Sequence, residues 1–322
     1  FPGRTAETSL RCVLERPEDW LPSVLPVQSR LATPFASVMT LAAALYRGAA
    51  ARGVRVVLDG VEGDLVFSLF ADYPRLLLAE GRWRDGLGEL LHLGREGHAQ
   101  SIAVTLPRLL LGRLQPPALA RFRHGRRDER LQAAQLAYPL LSRALRGSAS
   151  LREHLSEDTA VPPAPRSILE LHRHWLAKPI LVTGVERYDA MAAACGVEAR
   201  HPLLDPELVE FALGLPWHLK RCRARTKTGL RHASRGRVPE RIIERRDKPH
   251  LGWFFNEAVM AARWEAMRDR VTRTESLWAE WVDREAACRP FAADTYNRDR
   301  DGAAPWDVHA LAQWLEGLPR SA

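Results

Sequence analysis

Cysteine is scarce in this sequence, and its spacing argues against two common kinds of stabilising site. The 322 residues contain four cysteines, at positions 12, 195, 222 and 288, with no closely spaced pair. Structural zinc sites and the disulfide frameworks of small secreted domains use closely spaced cysteines. The pattern therefore predicts a chain without either kind of site, in a reducing compartment that we take to be the cytoplasm.

Long apolar runs, internal repeats and low-complexity tracts are absent as well. No segment approaches the roughly 20 apolar residues that a membrane-spanning helix requires, and the first residues show no signal-peptide pattern. The sequence therefore predicts no membrane partner. It begins with Phe1 instead of methionine, from which we expect a fragment or a processed product of a longer chain.

Lysine contributes little of the positive charge. Lys178, Lys220, Lys227 and Lys248 are the four lysines among 47 lysines and arginines, and the net charge is +8. Such a surplus suits anionic ligands, but arginine dispersed along the chain is more typical of biased codon usage. A nucleic-acid-binding face needs clustered basic residues and aromatics, and the densest cluster, residues 121–127, is more typical of a solvated loop. Nucleic acid is therefore disfavoured as a partner.

The most informative stretch is a short apolar run that ends in an acidic, glycine-containing turn. Val56 to Leu58 is β-branched and bounded by turn residues, which predicts a buried parallel strand. Ligands bind at the carboxyl ends of such strands. Asp59 and Gly60 follow at once, and Asp64 could hold a cation beside phosphates. Taken alone, these residue pairs also mark ordinary turns.

The remaining pattern is mostly helical. A strand at 9–14 and a helix at 37–52 would lead into the Val56 strand as a crossover unit of a parallel sheet. Later segments carry apolar residues at helical spacing, at 73–84, 85–97, 102–111, 131–154, 167–176 and 208–216. A proline-rich stretch at 161–165 is the one linker-like segment. We predict an α/β fold in which a large helical portion surrounds part of a parallel sheet.

Three further expectations concern individual side chains. Glu198 and Arg200 lie among apolar residues and predict a buried charge pair with a structural role. The basic turn at 245–250 is either a solvated turn or a charge clamp on departing phosphate. Tryptophans near the C-terminus lie at helical spacing and predict core positions: Trp278, Trp281, Trp306 and Trp314.

Two blocks of the sequence together resemble a known family. Residues 197–205 resemble the Val-Glu-Ala-Arg-x-Pro-Phe-Leu-Asp signature of the synthetase domain of the glutamine-hydrolysing asparagine synthetase family, and residues 208–216 continue that signature. Residues 59–65 resemble the family's Ser-Gly-acid-Gly-Gly-Asp-Glu turn. Residues 227–243 and the basic turn at 246–248 resemble its later segments. The resemblance extends from about Pro34 to Val259.

The resemblance implies a fold, a reaction and roles for four residues. It implies one domain over 1–322, incomplete at its N-terminus, in which 1–72 is the remnant of a nucleotide-binding sheet of the adenine nucleotide alpha-hydrolase (PP-loop) type and 73–322 is mainly helical. The family uses ATP and Mg²⁺ to adenylate a carboxylate, which ammonia from glutamine or another amine then attacks. Asp59 and Gly60 would contact the nucleotide, Asp64 would bind magnesium pyrophosphate, and Lys248 would stabilise charge on the phosphates.

The departures from the family pattern carry expectations of their own. The phosphate-binding Ser-Gly-Gly-x-Asp-Ser loop and the N-terminal glutaminase domain are both missing, which we attribute to truncation. Val61 stands where the family usually has an acid, and Leu65 and Ser68 replace a Glu and a Gly. These changes resemble a divergent branch, such as the enzymes that close lasso-peptide rings, with a small-molecule or peptide carboxylate as substrate. The alternative is a catalytically inactive scaffold or binding protein.

Overall fold

The computed structural model describes residues 22–24, 26–27, 31, 33–34, 39–69, 73–95, 129–130, 132–159, 167–223, 225–245 and 251–318. Five predicted features lie outside these residues. They are the strand at 9–14, the helix at 102–111, the basic segment 121–127, the proline-rich stretch 161–165, and residues 246–250 of the basic turn, which include Lys248.

The described chain alternates many helices with four short strands. In order, the elements are α1 (Met39–Ala50), β1 (Val56–Leu58), α2 (Gly63–Phe67), α3 (Tyr73–Ala79), α4 (Trp83–Arg95), α5 (Arg143–Gly147), α6 (Ala149–Thr159), α7 (Ile168–Leu176), α8 (Pro179–Cys195), β2 (Glu198–Arg200), α9 (Pro206–Gly214), α10 (Trp217–Lys220), β3 (Arg221–Cys222), β4 (Arg225–Thr226), α11 (Thr228–Ala233), α12 (Glu240–Ile243), α13 (Leu251–Arg273), α14 (Glu275–Trp278), α15 (Arg284–Cys288), α16 (Arg298–Asp301) and α17 (Ala304–Gly317). Residues 202–204 and 289–292 form 3₁₀ turns. The predicted α/β class with a large helical portion is confirmed.

Local sequence signals explain where the helices on either side of β2 begin and end. Gly196 closes α8 with a φ of 80°, a left-handed conformation that glycine adopts at little cost. The Asp205 carboxylate accepts a hydrogen bond from the Leu208 N–H at 3.2 Å and caps α9, which begins at Pro206. Ser167 caps α7 in the same way, because its hydroxyl oxygen accepts a hydrogen bond from the Glu170 N–H at 3.1 Å.

The strand that starts at Val56 is parallel, as predicted, but it is not buried. β1 pairs with β2 in the register Val56 with Glu198, Val57 with Ala199 and Leu58 with Arg200. Val56 and Leu58 are 39% and 68% exposed, whereas Val57 packs against the helical core. Parallel strands are buried when helices cover both faces of a wider sheet. Within the described ranges no helix covers the face that carries Val56 and Leu58, so that face of β1 is left open.

The main hydrophobic core lies under the other face of this sheet. It joins α1, α8, α13 and α17, and its largest fully buried side chains include Trp278 and Trp306. The core positions predicted for these two tryptophans are confirmed. Trp281 is 38% exposed, so its predicted core position is wrong. Its place is set by the backbone, because the Trp281 carbonyl accepts a hydrogen bond from the Ser142 N–H at 2.9 Å.

A second and smaller core positions the segment that follows β2. Tyr73 and Leu77 of α3 pack with Leu171 of α7 and Trp217 of α10. The antiparallel pair β3–β4 follows α10 directly and leads to Lys227. Among the described helices, none is long and apolar enough to cross a membrane.

Candidate active site

Asp59 is the first residue after β1, and its carboxylate joins the ends of the two parallel strands. Its backbone N–H donates to the Arg200 carbonyl at 3.1 Å. Oδ1 lies 2.8 Å from His201 Nδ1 and accepts from the Val61 N–H at 3.1 Å. The Tyr46 hydroxyl donates to Oδ2 at 3.4 Å. These contacts fix the turn and bring His201 to the carboxyl end of the sheet, where ligands of parallel sheets bind.

His201 presents one ring nitrogen that its neighbours do not use. Because Nδ1 faces the Asp59 carboxylate, we assign the proton to Nδ1, which leaves a lone pair on Nε2. Nε2 is buried and has no partner in the part of the chain that the structure describes. The Tyr188 ring packs edge-on against the imidazole, with centroids 6.1 Å apart. In this tautomer Nε2 can accept a hydrogen bond.

Two tyrosines, Tyr46 and Tyr188, lie near Asp59 with neutral hydroxyl groups. Burial raises the pKa of Tyr46, and the negative charge of Asp59 raises it further. Burial likewise raises the pKa of Tyr188, with smaller contributions from Asp59 and Glu62. Both phenols therefore remain protonated at neutral pH and can act as hydrogen-bond donors.

The turn between Asp59 and Asp64 is tightly shaped. Glu62 has a φ of 62°, in the left-handed region, and precedes α2. A Cβ on Gly63 would lie 2.6 Å from Leu203 Cδ1, so the glycine allows α2 to pack against the 3₁₀ turn after His201. Burial and the nearby Asp64 charge raise the pKa of Glu62. Gly60 faces open space, so a ligand could approach its backbone.

Asp64 and Lys227 form an accessible ion pair on the other side of this turn. The Asp64 Oδ1 and Lys227 Nζ atoms are 3.1 Å apart, and the Asp64 side chain is 51% exposed. No group of three or more metal-ligating side chains occurs among the described residues. Mg²⁺ is commonly held by one or two carboxylates together with phosphate oxygens and water. Asp64 therefore fits as a single protein ligand to a magnesium phosphate, and Lys227 fits as a neighbour of the phosphate.

A buried chain of hydrogen bonds supports the turn from within the protein. His172 Nε2 lies 2.8 Å from the Leu65 carbonyl oxygen, and Lys220 Nζ lies 3.1 Å from His172 Nδ1 and 3.0 Å from the Leu213 carbonyl. Burial lowers the pKa of Lys220 to about 8. Burial, followed by the Lys220 charge, lowers the pKa of His172.

The structure brings three of the four sequence-predicted site residues together: Asp59, Gly60 and Asp64 lie in one turn at the end of β1. Lys248 lies outside the described residues. The chain just before it is anchored, because Arg231 of α11 donates to the Arg245 carbonyl at 3.0 Å and to the Ile243 carbonyl. Lys227 immediately precedes α11, so the same helix organises both segments.

Sequence reasoning gave no role to His201, Lys227, His172 or Lys220. Two of them carried a usable signal: His201 lies in the signature 197–205, and Lys227 opens a later segment that resembles the family. The expectation for Glu198 and Arg200 was wrong in one respect. The two side chains pair at 2.7 Å, but both are more than half exposed because they lie on the open face of β2. A pair in this setting contributes little to stability.

Comparison with known proteins gives three findings. A curated relative, "Asparagine synthetase [glutamine-hydrolyzing] 3" of Bacillus subtilis (strain 168), is 32% identical over 96 residues, which cover 30% of this chain and 15% of the relative. No solved structure matches the chain. The family model of asparagine synthase matches residues 4–316. Since that match spans nearly the whole sequence, the chain belongs to the asparagine synthase family.

Proposed function

We propose that this chain is the synthetase part of an ATP-dependent ligase that forms a carbon–nitrogen bond. In this proposal a carboxylate is adenylated by ATP with release of pyrophosphate, and ammonia or another amine then attacks the adenylate to form an amide. The relative from Bacillus subtilis is named as a glutamine-hydrolysing enzyme. We extend that source of ammonia to this protein, which would require a glutaminase domain elsewhere in the protein.

The single observation that carries the proposal is the clustering of charged and polar groups on the Asp59–Asp64 turn. Asp59 and His201 meet at the carboxyl ends of two parallel strands, and Asp64 meets Lys227 within the same short turn. A carboxylate beside an ammonium group can bind magnesium phosphate through both of its components. We therefore assign Asp59 and Gly60 to nucleotide contact and Asp64 to magnesium pyrophosphate.

The cationic side of the site would be shared by two lysines. Lys227 is in place beside Asp64, and we propose that Lys248 approaches the same phosphates from the turn that follows Arg245. Bound Mg²⁺ would neutralise phosphate charge so that pyrophosphate can leave. Two ammonium groups would stabilise the charge that develops on those oxygens.

The exposed strand β1 supports a larger sheet in the complete protein. A two-stranded parallel sheet with Leu58 68% exposed is unusual, because parallel strands are normally covered on both faces. We propose that further strands extend this sheet to one of the PP-loop type. Residues 1–72 would belong to that sheet, within a single domain over 1–322. We also propose that the protein acts in the cytoplasm. With Val61 in place of an acid, the chain fits a divergent branch that acts on small-molecule or peptide carboxylates.

ATP–pyrophosphate exchange by the full-length protein tests this function. Aspartate and candidate peptide carboxylates would be supplied in parallel. We expect exchange in the wild type and a loss of about 100-fold or more in Asp64→Asn, because the carboxylate that binds the metal is removed. Asp269→Asn, at an exposed position of α13, is the matched control and should retain full exchange.

An inactive binding protein is the second candidate, and two features of the turn favour it. Val61 removes an acidic side chain from the turn, and Asp64 is already paired with a lysine. Calorimetric titration with magnesium ATP separates the two candidates. Micromolar binding with no exchange for any carboxylate would support the scaffold, whereas exchange in the wild type would reject it.

A further inference from the structure

Lys220 is a buried cation for which the described residues provide no acidic partner. Its side chain is 1% exposed, and its two hydrogen-bonding neighbours are the His172 ring and the Leu213 carbonyl. Burying an ammonium group without a carboxylate is costly compared with burying an apolar side chain of similar length. Stability alone therefore does not account for a lysine at this position, and its contacts indicate another role.

The first contact leads to the helix that carries Asp64. His172 is 2% exposed and donates from Nε2 to the Leu65 carbonyl, the residue after Asp64. α2 has five residues, so most of its carbonyl groups have no acceptor role inside the helix. A helix this short does not hold its conformation by itself. His172 thus donates a hydrogen bond to a carbonyl group that has no donor within α2, and it fixes the helix in place.

Lys220 determines which His172 nitrogen carries the proton. An ammonium group only donates hydrogen bonds, so it forces Nδ1 of His172 to act as the acceptor. The proton must then lie on Nε2, where it can be donated to Leu65. Without the ammonium group, Nδ1 would lose its donor, and the ring would be held by hydrogen bonding on one side only, at Leu65.

The backbone of Lys220 contacts Lys227, the ion-pair partner of Asp64. The Lys220 carbonyl accepts a hydrogen bond from the Lys227 N–H at 2.8 Å, across the β3–β4 pair. Lys227 itself adopts a left-handed conformation with a φ of 57°. One residue therefore constrains both members of the ion pair, Asp64 through its side chain and Lys227 through its backbone.

We propose that Lys220 is a positioning residue for the phosphate site: through His172, its ammonium group holds α2 so that Asp64 stays in contact with Lys227. This inference rests on the proposed function only for its consequence, the binding of magnesium pyrophosphate. The placement of α2 is a separate property and can be measured without any ligand.

Lys220→Met in the full-length protein tests the placement. Amide hydrogen exchange of residues 63–67 should become about tenfold faster, because the imidazole that fixes α2 loses the hydrogen bond that holds its other side. Affinity for magnesium pyrophosphate should fall by about tenfold. The thermal midpoint should stay unchanged or rise, since a buried charge is removed. Lys178→Met removes the same charge at a half-buried position above Trp175 and should change neither α2 exchange nor affinity.

A double variant separates positioning from general damage to the fold. His172→Gln supplies a carboxamide N–H that can donate to Leu65 without any help from Lys220. We expect Lys220→Met with His172→Gln to restore slow exchange in residues 63–67. Nitrogen NMR of the His172 ring should show a proton on Nε2 in the wild type, and in Lys220→Met the Nδ1 resonance should shift because its hydrogen bond is lost.

The outcomes distinguish this inference from the proposed function. Unchanged exchange at residues 63–67 in Lys220→Met, or an unchanged His172 Nδ1 resonance, would overturn the positioning role whatever the enzyme does. Faster exchange at α2 in a protein whose wild type binds no magnesium pyrophosphate would keep the positioning of α2 and reject the phosphate site.

Discussion

His201 and His172 contact the two ends of the same turn, residues 59–65, and are held there by opposite charges. His201 Nδ1 lies 2.8 Å from the Asp59 carboxylate, whereas His172 Nδ1 lies 3.1 Å from the Lys220 ammonium group. The acid makes Nδ1 a donor in His201, and the cation makes Nδ1 an acceptor in His172. Among the described residues, Nε2 of His201 has no hydrogen-bond partner, whereas His172 uses both nitrogens.

The difference indicates which end of the turn binds a ligand and which end stabilises the fold. At the Asp59 end, the buried Nε2 of His201 has no partner among the described residues. At the Leu65 end, both ring nitrogens are consumed inside the protein. Substitutions of His172 should therefore mainly reduce the free energy of unfolding. Substitutions at the Asp59 end should reduce it less and should have a larger effect on ligand binding.

The largest expected effect on stability comes from His172→Phe. Phenylalanine removes the bond to Leu65 and leaves the buried Lys220 ammonium group without its imidazole acceptor. We expect the free energy of unfolding to fall by about 3 kcal/mol. Urea denaturation measures it. Adding Lys220→Met should recover part of the loss, and a double variant no more stable than the single one would contradict this explanation.

Asp59→Ala should have the next largest effect. It leaves the Tyr46 hydroxyl, the Val61 N–H and the His201 Nδ1–H without their acceptor at a site that is partly open to water. The same urea measurement should show a loss of about 2 kcal/mol. A loss larger than that of His172→Phe would reverse the comparison between the two ends of the turn.

Two glycine substitutions should have smaller effects, with opposite signs. The added Cβ in Gly63→Ala would lie 2.6 Å from Leu203 Cδ1, the end of a flexible side chain that can shift, so we expect a loss of at most about 1 kcal/mol. Gly94→Ala lies in α4 with open space around it and should gain about 0.5–1 kcal/mol of helix stability. Equal effects from both substitutions would show that α2 does not pack against the 202–204 turn.

The smallest expected effect is on the pH dependence of stability. Burial lowers the pKa of folded His172 below its ordinary 6.5, so below that pH the unfolded chain binds a proton that the folded chain does not. This contribution therefore reduces stability as pH falls below about 6.5. His172→Gln should show a weaker loss between pH 7 and 5. Buried His309, whose pKa is lowered to about 3, has the same sign and is present in both proteins.

The sequence predicted the acidic turn because its parts are adjacent. Asp59, Gly60 and Asp64 lie within six residues after an apolar run, and the carboxyl end of a strand is where a site is expected. His201 and His172 could not be found in this way. They meet the turn across 142 and 107 residues of chain, and no local pattern identifies the partner of a distant histidine.

Burial was the property that the sequence predicted least well. Val56, Leu58 and the pair Glu198 with Arg200 were all expected to be buried, and all lie on exposed faces of the two-stranded sheet. An apolar run indicates that a strand can be buried. It does not indicate whether a helix packs on each face of the sheet, which decides whether the side chains are covered.

A double-mutant cycle on Asp64 and Lys248 tests the central claim most directly, because that claim places both side chains on the same phosphate groups. Calorimetry would give the affinity for magnesium pyrophosphate of the full-length wild type, Asp64→Asn, Lys248→Met and the double variant. We predict a coupling free energy of about 1–3 kcal/mol, with the double variant little weaker than the worse single one. Single effects that add to within about 0.5 kcal/mol would show that the two residues act at separate places and would contradict the claim.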